Sequence, residues 1–193
     1  MLITKNKAIF PLILAAGMAA IIILTGFFTA RFVHKPLYLT VSNQDTGEIY
    51  LQIPAYEAGK FSVGFIHSVN KSPVIDCYEI RGRQIYLIQT IYYGFGAGVQ
   101  TEIEDGQELT YGEDGSMTVS GFEQEMPNLC YLVGTVSDHI LTIGEYADGV
   151  RIQELGMQEN TSESAGKEIS LRALCGRNAA IRFSVEEKYR PQQ

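Results

Sequence analysis

Between Phe65 and Ile80 the chain reads FIHSVNKSPVIDCYEI, and this segment concentrates side chains able to act on a ligand. An adjacent His67-Ser68 pair suggests a base beside a nucleophile, the arrangement of a hydrolase. Strand geometry opposes that use. Neighbouring side chains of an extended chain point to opposite faces, so His67 is badly placed to take a proton from Ser68. No catalytic residue is therefore expected, and a hydrolase using His67 stands only as an outside alternative. A binding role is the better chemical use of His67, Ser68, Lys71 and Asp76, grouped around a polar connection between two strands. A purely structural use also exists, in which His67 closes the hairpin by a hydrogen bond to Asp76 or to a backbone carbonyl.

The second chemically suggestive stretch is YYGFGAGVQTE, residues 92–102, in which Gly94, Gly96 and Gly98 alternate after a strand. A dinucleotide site would need a helix N-terminus directly behind such a run, and no helical pattern follows. The glycines then mark a bulge or tight corner. A sharper reading makes Gly96, Ala97 and Gly98 a nest of backbone amides for a small carboxylate. The three histidines, His34, His67 and His139, show no metal-ligand spacing, and the acidic runs Glu102–Asp105 and Glu113-Asp114 lack the ladder of a calcium loop. Neither a metal nor any cofactor is expected.

The elements that must position these residues are strands. After Pro36 short runs alternate apolar and polar side chains: 37–41, 49–53, 60–67, 74–80, 84–93, 116–121, 139–144, 150–155, 168–175 and 180–185. Turn residues separate them at Asp45-Thr46-Gly47, Arg81-Gly82-Arg83, Asp148-Gly149 and Gly176-Arg177-Asn178. No run has a convincing helical period. The expected fold is mostly β, an antiparallel sandwich or a barrel-like domain, with polar loops at 101–115 and 156–167.

Charge and hydropathy divide the chain. All 22 acidic residues follow position 35, together with 11 of the 15 basic ones, which gives residues 36–193 a formal charge of −11. Such a surface repels phosphate, so nucleic acid is excluded as a partner. Residues 9–30, IFPLILAAGMAAIIILTGFFTA, carry no charge and as a helix would reach about 33 Å, enough to cross a bilayer core. Ile9, Leu14, Ile22 and Phe28 are among the side chains of this anchor. The absence of a good cleavage site favours an uncleaved signal anchor, with the short N-terminal tail cytoplasmic and the acidic domain outside. The expected organisation is a tail (1–8), an anchor (9–30), a linker (31–36), an extracytoplasmic β domain (37–185) and a polar tail (186–193). Cys77, Cys130 and Cys175 lie far apart, and three small reduced side chains are the simpler expectation than a disulfide with one cysteine left over.

The HSV-x-K-[ST]-PV core at His67, Ser68, Val69, Lys71, Ser72, Pro73 and Val74, with the Gly96-Ala97-Gly98 run, resembles a bacterial domain-of-unknown-function family, DUF1850. The resemblance spans roughly residues 37–185. Family members often carry glutamate in place of Asp76 and a proline soon after the glycine run, where this chain has Val99-Gln100. The family's genes commonly adjoin those of TAXI-type TRAP transporters, which import carboxylate-like solutes. With the anchor and the absence of a catalytic set, this resemblance suggests a non-enzymatic, membrane-anchored accessory protein whose partners are the transporter's membrane subunit or its solute-binding protein. Direct binding or sensing of a small carboxylate is the alternative.

Overall fold

The computed structural model describes residues 36–94, 96, 99–100, 102–134, 137–144 and 167–187. The anchor residues Ile9, Leu14, Ile22 and Phe28, the run 150–155, and Ala97 and Gly98 lie outside these. Among the described residues, no helix is long and apolar enough to cross a membrane.

Eleven strands form among the described residues: β1 (Leu37–Asn43), β2 (Ile49–Ala55), β3 (Lys60–Ile66), β4 (Pro73–Arg81), β5 (Gln84–Tyr92), β6 (Glu108–Tyr111), β7 (Met117–Glu125), β8 (Cys130–Leu132), β9 (His139–Ile143), β10 (Lys167–Ser170) and β11 (Ala180–Glu187). They make two sheets, a four-stranded one in the order β2-β1-β11-β8 and a seven-stranded one in the order β10-β9-β3-β4-β5-β7-β6. Every pairing is antiparallel. The sheets do not close on themselves, so of the two expected architectures the barrel is excluded.

The pleat explains the layering. Leu39 and Val41 of β1 and Ile181, Phe183 and Val185 of β11 turn one face of the small sheet inward. Phe61 and Val63 of β3, Tyr78 and Ile80 of β4, and Leu141 of β9 answer from the large sheet. Phe61 stacks against Tyr78 at 5.1 Å and against Phe183 at 5.8 Å, joining both sheets. Strand β4 is buried on both faces, since Ile75 and Cys77, pointing away from Tyr78, are each 0% exposed. A strand in that position reads as a nearly continuous apolar run, as VIDCYEI does.

The run 168–175, expected as one strand, divides. Its first residues form β10, and Leu171–Cys175 turn into a short helix, α1. Ser170 is extended (φ −67°, ψ 113°) and its hydroxyl accepts the Ala173 amide at 3.0 Å, the geometry of an N-cap. The Asp138 carboxylate takes the Arg172 amide at 2.9 Å and the Ser170 hydroxyl. Five residues are too few for a helical period to show in sequence. Strands β6 and β8, of four and three residues, escaped for the same reason.

Candidate functional site

The connection from β3 to β4 is a closed hairpin loop. The His67 amide donates to the Ser72 carbonyl and the Lys71 amide to the His67 carbonyl, both at 2.9 Å. Lys71 takes φ +56°, a left-handed conformation that lets the chain re-enter the sheet at Pro73. His67 turns its Nδ1 onto the loop's own backbone, accepting from the amides of Val69 (3.4 Å) and Asn70 (3.3 Å). Of the two partners considered for His67, Asp76 is not bonded to it: the ring nitrogen faces these loop amides, and Asp76 points between the sheets. At the tip, Ser68 and Lys71 are exposed and Val69 is 67% exposed.

The two segments that stand out in the sequence meet here. A Cβ added at Gly94 would lie 2.8 Å from the Ser72 hydroxyl, and one at Gly96 would overlap the Asn70 side-chain amide. The missing side chains at Gly94 and Gly96 let their backbone approach Ser72 and Asn70 this closely. The Tyr93 amide adds a 3.0 Å bond to the Pro73 carbonyl. The Ser72 hydroxyl is buried in this contact without a hydrogen-bond partner. Ala97 and Gly98 lie outside the described residues.

Behind the loops, Asp76 is the centre of a polar network. It lies directly opposite Val63 of β3 and Thr90 of β5, on the inward face of the large sheet. Thr90 donates its hydroxyl to Asp76 Oδ1 at 3.0 Å, and Tyr131 of β8 donates to Oδ2 at 2.9 Å. The Tyr131 and Tyr78 hydroxyls are 2.5 Å apart. With Tyr131's proton committed to Asp76, Tyr78 is the donor between them. Burial pushes the Asp76 carboxyl above the usual aspartate range, and the hydrogen bonds from Tyr131 and Thr90 only partly oppose this. Burial likewise raises the Tyr131 and Tyr78 phenols, with the Asp76 charge adding to it. Tyr92 is raised for the same two reasons.

His139 closes the row. It stacks on Phe65 at 5.1 Å between ring centroids, meets Tyr131 edge-on at 5.8 Å, and accepts the Gly134 amide on Nδ1 at 3.3 Å. Burial lowers its pKa, favouring the neutral ring. Thr90, Tyr92, Tyr131, Phe65 and His139 escaped sequence reasoning as site residues. The one available signal was parity: Asp76 shares a face with Val74, Tyr78 and Ile80, so a carboxylate had to turn inward.

Among the described residues, no three of His, Cys, Asp or Glu come together as metal ligands. Cys77, Cys130 and Cys175 are free. Burial raises the thiol pKa of Cys77 and, less deeply buried, of Cys175, so neither is an activated nucleophile. No curated protein and no solved structure matches the chain. A family match runs from the second residue of β3 through β9 and takes in both loops and the Asp76 network. Residues 61–147 are similar to the family described as "Domain of unknown function (DUF1850)".

Proposed function

We propose that this chain is a non-catalytic, membrane-anchored extracytoplasmic accessory protein that contacts a TAXI-type TRAP transporter through the loop end of its β domain. The observation that carries the reading is the braced tip: Val69 stands 67% exposed on a hairpin whose backbone is closed by its own hydrogen bonds and buttressed by Gly94 and Gly96. An apolar side chain held out on a rigid loop suits contact with a protein surface. The residues considered for catalysis are not arranged as an acid–base pair. His67 Nδ1 faces the Val69 and Asn70 amides rather than Ser68, and Asp76 bonds Thr90 and Tyr131.

Purification of the full-length protein from its native membrane in mild detergent, followed by mass spectrometry, tests this. Transporter membrane or solute-binding subunits are expected with the wild type and are lost with Val69→Asp. Recovery of no transporter subunit, or equal recovery with Val69→Asp, overturns the proposal. A second reading places a small carboxylate on Lys71, whose exposed side chain leaves the same tip. It requires a thermal shift with succinate that disappears in Lys71→Ala.

A further inference from the structure

The seven-stranded sheet sets its inward side chains in rows. One row runs Leu141, Val63, Asp76, Thr90, Val119 across β9, β3, β4, β5 and β7. The next runs His139, Phe65, Val74, Tyr92, Met117. Leu141, Val63 and Val119 are each 0% exposed, and on β4 Val74 and Tyr78 are 6% and 2% exposed. Asp76, between these last two on the same face, keeps intermediate exposure, as do Phe65 and Tyr131. Asp76 is therefore the least buried of the inward-facing side chains of β4.

That carboxylate has no cationic partner among the described residues. Its hydrogen-bond partners there are the neutral hydroxyls of Thr90 and Tyr131, and the ion pairs found there join Arg81 to Glu79 and Glu123. A carboxylate offers about four acceptor positions, so each oxygen retains capacity beyond the one bond it receives. The surroundings are aromatic. Phe65 and Tyr131 meet at 63° with centroids 6.2 Å apart, and Tyr92 stands directly opposite Val74. A carboxylate without a cationic partner, close to aromatic side chains, is the chemistry that recognises an ammonium group. A bare metal ion would need further ligands, and no such cluster exists among the described residues. An anion would meet the Asp76 charge, whereas the net −11 of residues 36–193 draws cations in.

We propose that Asp76, with the rings of Phe65, Tyr92 and Tyr131, forms a binding site for a small organic cation carrying an ammonium group. Asp76 supplies the counter-charge, Thr90 and Tyr131 hold the carboxylate in place, and the rings receive the alkyl or N-methyl groups. This site is separate from the Val69 tip, so its success or failure is independent of transporter contact. Because the bound cation requires the ionised carboxylate, binding weakens as the pH falls through the Asp76 titration.

The test is thermal unfolding of the full-length protein in detergent with butylammonium or tetramethylammonium chloride, against sodium chloride at equal ionic strength. A near-saturating probe is expected to raise Tm by about 3 °C or more. Asp76→Asn abolishes the shift and Phe65→Leu diminishes it. Calorimetric titration of the wild type with the effective probe is expected to lose affinity from pH 8 to pH 4. No ammonium-specific shift, an undiminished shift in Asp76→Asn, or pH-independent affinity would each overturn the proposal. Should Asp76→Asn fail to fold, the Phe65→Leu comparison and the pH series decide.

Discussion

Two titratable residues, Asp76 partly buried and His139 buried, give the domain opposite responses to pH. Asp76 has a folded pKa above its unfolded value, so the folded state binds the extra proton. Its contribution to stability is fullest below about pH 4, the unfolded value, and is lost as pH rises through the folded one. His139 has a folded pKa below its unfolded value, so its contribution is intact above about pH 6.5 and is lost as pH falls. Urea unfolding of the solubilised full-length protein from pH 4 to pH 8 reads both. Asp76→Asn is expected to flatten the decline toward high pH while leaving the fall on the acid side. His139→Gln does the reverse. An unchanged profile in either variant would show that the residue does not titrate in a buried setting. Asp76 could be marked as inward-facing from its parity in VIDCYEI, but its hydroxyl partners could not. Tyr131 lies 55 positions away, and only the packing of β8 over β4 brings it within 2.9 Å.

Elements are specified by local chemistry where that chemistry is strong. The β4–β5 turn takes Gly82 at φ +58°, and Arg81 beside it bonds Glu79 and Glu123 while its guanidinium lies 4.7 Å from the Tyr86 ring centre. The Arg-Gly-Arg signal was therefore readable as a turn. Gly121 was not readable in that way, because it sits inside β7, where the register against β5 shifts. It adopts φ +81°, and a Cβ there would overlap the Gly106 carbonyl oxygen of the preceding loop. Gly115 has the same φ with nothing within 4 Å. Gly121→Ala is expected to cost roughly 1–3 kcal/mol or more, and Gly115→Ala less, the difference isolating the contact from the backbone strain. Chemical denaturation of both variants checks this, and equal losses would leave only the dihedral. At the β9–α1 junction, Asp138 is 5% exposed and holds the His139 amide, the Arg172 amide and the Ser170 hydroxyl. Asp138→Ala should destabilise by roughly 1–3 kcal/mol by leaving these donors unpaired, measured in the same way.

At the scale of the molecule, stability rests on the apolar layer shared by the two sheets. Phe183 of the small sheet stacks on Phe61 of the large one and is 2% exposed. Phe183→Ala is expected to cost about 3–5 kcal/mol. The loss should be less than additive with Phe61→Ala, since the two rings fill one space. A double-mutant cycle by urea unfolding measures the coupling, and strict additivity would place the rings in independent sites. The amino-acid sequence by itself determined the acidic character of residues 36–193, the strand-rich class and the positions of most strands. It also singled out the HSVNKSPV and glycine segments. These follow from composition and from a two-residue alternation that is local to each strand. Tertiary structure alone decided that the sheets stay open, that Leu171–Cys175 turns into a helix, and that Gly94 and Gly96 seat against Ser72 and Asn70. It also turned Asp76 away from His67 toward Tyr131. Each of those outcomes depends on which strands become neighbours, and that choice is made by the summed burial of side chains far apart in the chain.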